Sequence, residues 1–352
     1  MTLIFNASNV VDRGRGFTFD DILVVPNYSE ISSRRHPNLD TKLTRNLGLE
    51  VPIVSANMDT ITEHEMAIAL GSLGGVGIIH RFMDIDAQIS EVKKVLDRKL
   101  NTPVVASIGV KKEDILRAEK LVDNGVQAIT IDIAHGDSVM MYSIMKEIRK
   151  TLKNVDIIAG NVATPGGVRR LIEEGADAVK VGIGPGSMCT TRLITGCGVP
   201  QLTAIALCSA EARKSSIPII ADGGIKTSGD IVKALCCGAS TVMLGSMFAG
   251  TLETPGEVTN GEKRYRGMAS KEAQISWRGE LPEGMAPEGV STKISCKGSV
   301  CDVVREILGG IRSGMTYLNA ENISDMEKNA SFIEISPAGV KESGPHGTSS
   351  KR

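Results

Sequence analysis

One cysteine stands in a glycine-rich segment where it could act as a nucleophile. The sequence from Gly182 to Arg192 is GIGPGSMCTTR, so Cys189 follows three glycines and precedes two threonines and an arginine. Glycines let the backbone turn tightly and approach a ligand closely. The thiolate is the nucleophilic form of cysteine, and nearby cations or backbone N–H groups favour it. From the residues alone, Cys189 is either such a nucleophile or a buried structural cysteine.

Two further segments suit a phosphorylated ligand. Residues 221–225 are ADGGI and residues 244–246 are LGS, and each segment ends an apolar run. If these runs are neighbouring strands of a barrel, the loops after them can direct backbone N–H groups at phosphate oxygens. Asp222 either accepts hydrogen bonds from two ribose hydroxyls or caps the turn that follows it.

Two histidines and a cysteine pair have simpler explanations. His80 and His135 follow apolar runs, where a lone histidine is more often a hydrogen-bonded core residue than a catalyst. Cys236 and Cys237 lie in a predicted helix and are expected to pack in the core. No Cys-x-x-Cys pair suggests zinc.

Eight short apolar runs alternate with stretches of helical periodicity. Near-continuous Val/Ile/Ala runs are typical of strands that are buried on both faces. A helix-to-strand junction also recurs, as NGVQA, EGADA and CGAST at residues 124–128, 174–178 and 237–241. The predicted strands are residues 52–56, 77–80, 103–109, 127–132, 156–161, 177–182, 218–223 and 240–245.

Eight βα units predict an α/β protein with a (β/α)8 TIM barrel, and residues 1–352 form one such catalytic domain. An open flavodoxin-like or Rossmann sheet would have fewer strands and a switch point. The periodicity is lost over residues 251–298, which predicts a mobile flap or a disordered loop after strand eight. Helical periodicity returns at residues 299–315, and residues 337–352 are predicted to be a flexible tail.

Composition limits the classes of partner. The 352 residues carry a formal net charge of −1, so no overall field attracts nucleic acid or a membrane surface. The first residues contain no apolar run of signal-peptide length and no run is long enough to span a bilayer, so neither a signal peptide nor a membrane span is predicted. The seven cysteines lack the spacing of a disulfide framework, which indicates a reducing, cytoplasmic location.

The segment Gly184–Arg192 resembles the active-site loop of the IMP dehydrogenase/GMP reductase family. The resemblance covers about residues 16 to 346. Supporting matches are FDDIL at 19–23, ANMDT at 56–60, GNV at 160–162, residues 221–229, residues 243–250, YRGM at 265–268 and GGIR at 309–312.

This resemblance implies a set of catalytic and substrate-binding residues. Cys189 would attack C2 of a purine nucleotide, while Thr191 and Glu288 handle a proton near the leaving group. Arg81 stands where the family usually has lysine, and arginine differs from lysine in both geometry and proton chemistry. The implied contacts to phosphate, ribose and base are Met58, Asn161, Ser187, Asp222, Gly223, Gly224, Gly245, Ser246, Tyr265, Gly267 and Met268.

The same resemblance implies a cofactor, a cation and an assembly. Asp132, Ile133, Ala134 and Ser107 would face a nicotinamide cofactor, which is NADPH, with NADH or NAD as alternatives. The carbonyls of Gly184, Gly186 and Cys189 would bind a monovalent cation such as K+. A homotetramer is expected. The pair of CBS modules common in the dehydrogenases has no room between Ile79 and Pro103.

The family contains two reactions, and the flap distinguishes between them. The dehydrogenases oxidise IMP with NAD and then hydrolyse the cysteine adduct. An Arg-Tyr pair on their flap resembles the base that this hydrolysis needs. Here Arg278 is followed by Gly279. The missing tyrosine favours a GMP reductase, which uses NADPH to convert GMP to IMP and ammonia.

Other residues favour the dehydrogenase. Residues 287–290, PEGV, and residues 336–343 resemble that branch, and Met285 and Val290 replace the basic residues suited to the extra phosphate of NADPH. The alternatives are therefore an IMP dehydrogenase without CBS modules, a relative acting on a modified purine, or a non-catalytic purine-nucleotide-binding protein. The joint presence of Cys189, Thr191 and Glu288 argues against the last of these.

Overall fold

Eight parallel strands close into a barrel at the centre of the molecule. The computed structural model describes residues 4–281 and 283–345. Each strand pairs with the next in the chain, and the last pairs with the first, with Val242 opposite Ile53. The eight predicted strands and the TIM barrel are therefore confirmed, and an open sheet is excluded. The strands, labelled β1 to β8, are Ile53–Ser55, Val76–Ile79, Val105–Ile108, Ala128–Asp132, Asp156–Val162, Ala178–Val181, Ile219–Asp222 and Thr241–Leu244.

Helices alternate with the strands and begin where the sequence provides caps. Thr164 accepts a hydrogen bond from Gly167 N ahead of Pro165, and Thr227 and Asp230 form a capping box, as expected for helix starts. The helices, labelled α1 to α12, are His64–Gly71, Ile85–Leu96, Glu113–Asp123, Val139–Thr151, Pro165–Glu173, Thr191–Thr195, Gln201–Arg213, Ser228–Cys236, Lys271–Arg278, Val300–Tyr317, Ile323–Asn329 and Pro337–Glu342.

The apolar core fills both the barrel and the layer between strands and helices. Ile78, Val105 and Ile220 are fully buried in the barrel wall. Cys236 and Cys237 are also fully buried, which confirms that they are packing residues. Burial raises the pKa of both thiols above the ordinary value.

The segment after β8 has more structure than its sequence indicates. Strands Glu262–Arg266 and Ser291–Ser295 form an antiparallel hairpin, with Tyr265 opposite Thr292, and α9 lies between them. We call residues 267–290 the flap. The flap is thus anchored on a hairpin, because the two strands satisfy each other's backbone hydrogen bonds.

Shorter elements lie outside the barrel. Three strands, Ile4–Phe5, Ile22–Val24 and Phe332–Glu334, form a small antiparallel sheet, and Thr41–Lys42 pairs with Gly48–Leu49. Helix α2 alone connects β2 to β3, and α10 matches the helix predicted near 299–315. Of the predicted tail, residues 337–342 form α12, while residues 346–352 lie outside the described residues. Within the described part of the chain, no helix is long and apolar enough to cross a membrane.

Candidate active site

A cavity of about 430 Å³ opens at the carboxyl ends of the strands and runs beneath the flap. Working residues of this fold lie at that end. A larger groove of about 940 Å³ lies near the amino ends of β7 and β8, the end that serves stability in this fold. The predicted site residues that line the cavity are Met58, Arg81, Asp132, Ile133, Ala134, Asn161, Asp222, Gly223, Gly184, Gly186, Cys189, Thr191, Met268 and Glu288.

Cys189, Thr191 and Glu288 form a hydrogen-bonded series. The Cys189 thiol donates to Thr191 Oγ1 at 3.1 Å, and the Thr191 hydroxyl donates to Glu288 Oε2 at 2.7 Å. Each side chain is partly exposed to the cavity. The three groups therefore form a continuous path of hydrogen bonds from the thiol to the carboxylate, and Cys189 is not a buried cysteine.

Backbone contacts between the β6 loop and the flap bring Glu288 to Thr191. Thr190 N donates to Glu288 O at 3.0 Å, and Val290 N donates to Met188 O at 2.9 Å. This approach needs glycine, because a Cβ on Gly289 would lie 3.0 Å from Met188 O and one on Gly267 would lie 2.8 Å from it. The close fit explains why these two positions lack side chains.

The residues expected to hold a phosphate lie together beside the cavity. Ser187 Oγ and Tyr265 Oη are 3.0 Å apart. A Cβ on Gly245 would be 3.4 Å from Tyr265 Oη and from the sulfur of Met58. Ser246 follows Gly245, and Gly224 packs against Pro185 of the cysteine loop. Burial raises the pKa of Tyr265, so its hydroxyl remains a neutral hydrogen-bond donor.

A buried lysine that the sequence analysis missed connects Asp222 to Asp132. The ammonium of Lys180, in β6, lies 2.7 Å from Asp132 Oδ1 and 2.8 Å from Asp222 Oδ2, and it also donates to Asn161. Asp222 does not cap the turn after β7, since its carboxylate accepts hydrogen bonds from Asn161 and Lys180 and, among the described residues, from no backbone N–H of that turn. The only feature of the sequence that marks Lys180 is its charge within an otherwise apolar run, and that feature alone does not indicate a functional site.

The cofactor candidates face the flap, with one exception. Asp132, Ile133 and Ala134 line the cavity opposite Trp277. Ser107 does not reach it, because this side chain is fully buried and its hydroxyl donates to Ile79 O at 3.1 Å. Ser107 therefore has no free hydroxyl for a cofactor, which corrects that expectation.

Side-chain contacts also connect the flap and its base to the barrel. The Trp277 ring meets the Phe82 ring edge-on at 6.0 Å, and the Arg81 guanidinium lies 4.7 Å from the centre of Phe82. Aromatic pairs of this geometry are attractive. At the base of the flap, the buried Arg266 guanidinium forms an ion pair with Asp59. Sequence analysis missed the Trp277–Phe82 and Arg266–Asp59 contacts, because the partners in each are far apart in the chain.

The carbonyls proposed for a cation are only partly engaged. Gly186 O accepts a hydrogen bond from Cys189 N at 3.0 Å. Among the described residues, none donates to Gly184 O or Cys189 O. These two carbonyls remain available to a monovalent cation, which stays a prediction.

Neither histidine belongs to the site. His80 is 2% exposed, lies 3.1 Å from Glu63 Oε1 through Nε2, and accepts a hydrogen bond from Phe82 N at Nδ1. It is therefore the satisfied core residue that was expected. His135 is exposed and does not line the cavity.

Comparison with known proteins assigns the family. The family model described as the IMP dehydrogenase / GMP reductase domain matches residues 16–346. The chain belongs to this family. An inosine-5'-monophosphate dehydrogenase of Cryptosporidium parvum is 44% identical, over 95% of each chain. A GMP reductase of Leishmania donovani is 33% identical, over 94% of this chain and 96% of the relative.

A solved structure with the same fold comes from the same family. It is a cysteine-to-alanine variant of GMP reductase from Trypanosoma brucei in complex with guanosine 5'-monophosphate. The TM-score is 0.87 at 33% identity, covering 95% of this chain and 98% of the other. Relatives of both activities thus match this IMP dehydrogenase/GMP reductase family member over almost its whole length.

Proposed function

We propose that the protein is a GMP reductase, an oxidoreductase that converts GMP to IMP and ammonia through a covalent adduct on Cys189. The observation that carries this proposal is the Cys189–Thr191–Glu288 series beneath a flap that contains no tyrosine. Acid–base groups within hydrogen-bond reach of a nucleophile support covalent catalysis. The family membership and the GMP-bound neighbour support a purine nucleotide as substrate.

The series accounts for every proton in the first half of the reaction. The thiol proton moves through Thr191 to Glu288 as sulfur bonds to C2 of GMP. Glu288 then returns that proton to the 2-amino group, the C2–N bond breaks, and ammonia departs. The adduct that remains is an amidine-like thioimidate on Cys189.

The second half needs a hydride, which a bound reduced nicotinamide supplies to C2. The C–S bond then breaks, and Cys189 leaves as a thiolate that takes a proton from solvent. Asp132, Ile133 and Ala134 would hold this cofactor under Trp277. The lining of the cavity suits such a group, because it includes the paired rings of Phe82 and Trp277 and the carboxylate of Asp132. The cations that line it are Arg81, Lys180 and Arg278, of which Arg278 lies on the flap.

Water must stay away from the adduct until hydride arrives, since hydrolysis would give XMP. Excluding water from a closed site prevents such side reactions. The flap packs over the cavity through Trp277, and it offers Arg278 without a tyrosine beside it. The usual hydrolytic pair is therefore incomplete. Potassium dependence and a tetrameric assembly belong to the same proposal.

An IMP dehydrogenase that oxidises IMP to XMP with NAD is the second candidate. It is favoured by the 44% identity to a dehydrogenase, by the PEGV sequence at 287–290, and by Met285 and Val290 in place of the basic residues suited to NADPH. Arg278 lines the cavity and could still serve as a base.

Paired incubations test the proposal. The protein is mixed with GMP and NADPH or NADH, and separately with IMP and NAD, and the products are separated by chromatography. We expect IMP and ammonia in the first mixture and little or no XMP in the second. Steady formation of XMP from IMP and NAD would replace the proposal with the dehydrogenase.

A further inference from the structure

Lys180 is the centre of a buried polar network between two halves of the cavity. Its side chain is 3% exposed. The ammonium has three N–H donors, and the structure gives it three acceptors, on Asp132, Asp222 and Asn161. No donor remains for a ligand, so any role of Lys180 must act through these neighbours.

The two carboxylates end different strands and would face different ligands. Asp132 ends β4 on the side of the proposed cofactor, and Asp222 ends β7 on the side of the proposed ribose. Lys180 and Asn161 both donate to Asp222 Oδ2, at 2.8 Å each. Among the described residues, none donates to Asp222 Oδ1. Asp222 Oδ1 therefore has no hydrogen-bond donor among the described residues and is available to a ligand in the cavity.

The charge of Lys180 also stabilises the ionised form of Asp132. Burial works against a charged lysine, but Asp132 and Asp222 outweigh it and raise the pKa of Lys180. Burial likewise opposes ionisation of Asp132, but Lys180 outweighs it and lowers the pKa of that carboxyl. Two neighbouring carboxylates without a cation between them would instead favour binding of a proton.

Other polar groups face the network and do not replace its cation. Arg81 and Asn57 also lower the pKa of Asp132. Tyr265, whose pKa is raised by burial and also by Asp222, is neutral. Lys180 is therefore the single cation in contact with both carboxylates among the described residues.

We propose that Lys180 is a positioning residue that orients Asp222 toward the nucleotide and Asp132 toward the cofactor and thereby couples binding at the two halves of the cavity. The proposal rests on a purine nucleotide and a nicotinamide cofactor sharing this cavity. It does not depend on which of the two reactions follows.

Calorimetric titration with GMP between pH 6.5 and 8.5 tests the proposal. Lys180→Met leaves two neighbouring carboxylates without the cation between them, so a proton should bind there more readily, and GMP binding should be weaker than in wild type by about tenfold or more at the low end of this pH range. Its affinity relative to wild type should recover as the pH rises. Lys180→Arg should stay close to wild type across this range. The phosphate of GMP titrates at about pH 6 in every sample, so each variant is compared by the ratio of its GMP affinity to that of wild type at the same pH.

Two further variants separate positioning from mere support of the fold. Lys263 is 5% exposed and donates to the carbonyls of Thr251, Leu252 and Thr254. Lys263→Met thus removes a buried ammonium that contacts no carboxylate, and it should lower thermal stability without changing the pH profile. Lys180→Met combined with Asp132→Asn removes one cation and one anion. Its GMP affinity should return to within about tenfold of wild type, and the ratio of the two affinities should not change with pH.

The possible results lead to different conclusions. The positioning role is overturned if the GMP affinity of Lys180→Met relative to wild type does not change with pH. It is also overturned if Lys263→Met shows the same loss of GMP affinity at low pH as Lys180→Met. If Lys180→Met does not fold, the double variant decides, and its failure to fold or bind GMP also overturns the role. Absence of GMP binding by wild type would refute the nucleotide site itself, which is a failure of the proposed function.

Discussion

The Glu288→Gln variant examines the proposed proton transfer that would release ammonia. The amide keeps the shape of the side chain and can still accept the hydrogen bond from Thr191, now 2.7 Å long, but it cannot take and return a proton. General acid–base catalysis contributes roughly a hundred- to ten-thousand-fold, which equals about 2.7–5.5 kcal/mol of barrier. We expect kcat to fall within that range while GMP affinity stays within about tenfold.

Single-turnover experiments with GMP measure this loss as the rate of ammonia release, and mass spectrometry follows the adduct on Cys189. Glu280→Gln is the matched control, because Glu280 is an exposed carboxylate of the same flap and should leave the rate unchanged. Thr191→Val should be as slow as Glu288→Gln, and the double variant should be little slower than either, since both remove one relay. A Glu288→Gln enzyme that releases ammonia at the wild-type rate would refute the relay.

Three other predictions concern the nucleophile, the flap and the ion pairs. Cys189→Ser should reduce turnover by about four orders of magnitude or more, yet bind GMP normally in calorimetry; near-normal turnover would reject covalent catalysis. Trp277 is the single tryptophan of the chain and contacts Phe82, so its fluorescence should change when nucleotide and cofactor bind. Phe82→Ala should raise the KM of the cofactor, and an unchanged KM would exclude this contact from flap closure. Arg266→Ala should lower the free energy of unfolding by about 3–5 kcal/mol in denaturant titrations, because it leaves Asp59 unpaired in a buried site. Arg264→Ala removes an exposed pair with Glu272 and should lower it by about 1 kcal/mol or less. Equal losses would contradict a stabilising role of the Arg266–Asp59 pair.

Stability against pH should reflect the Lys180 network. The lowered pKa of Asp132 means that its contribution is complete above the unfolded value of about 4 and is lost as the pH falls through the lower folded value. The raised pKa of Lys180 means that its contribution is complete below about 10.4 and is lost as the pH rises through the folded value. Denaturant titrations of wild type and of Lys180→Met should therefore differ most between about pH 4 and 10; a constant difference outside this window would contradict the network.

The sequence predicts the barrel well because its signals are local. Each strand is a short apolar run, and each recurrent glycine junction marks where a helix ends, so neither needs a distant partner to be recognised. Ser107 shows the limit of this approach, since its place near a strand end did not reveal that its hydroxyl points into the barrel wall.

The candidate site was predictable mainly where a motif carries it. Cys189 and Asp222 stand in recognisable segments, whereas Glu288 lies 97 residues from Thr191 and was found only through the resemblance. Lys180 lies 42 residues from Asp222 and inside an apolar run, so no local pattern marked it. The flap hairpin was missed for the same reason, because its strands are stabilised by each other and by the barrel and not by periodicity.

Transfer of the hydride label is the most direct test of the proposed reaction. Wild-type protein is incubated with GMP and NADPH that carries deuterium at the transferable position of the nicotinamide, and the product is analysed by mass spectrometry and NMR. Reductive deamination predicts IMP with one deuterium at C2 and one ammonia released for each. Recovery of unchanged GMP with no labelled IMP, together with XMP formation from IMP and NAD, would contradict it.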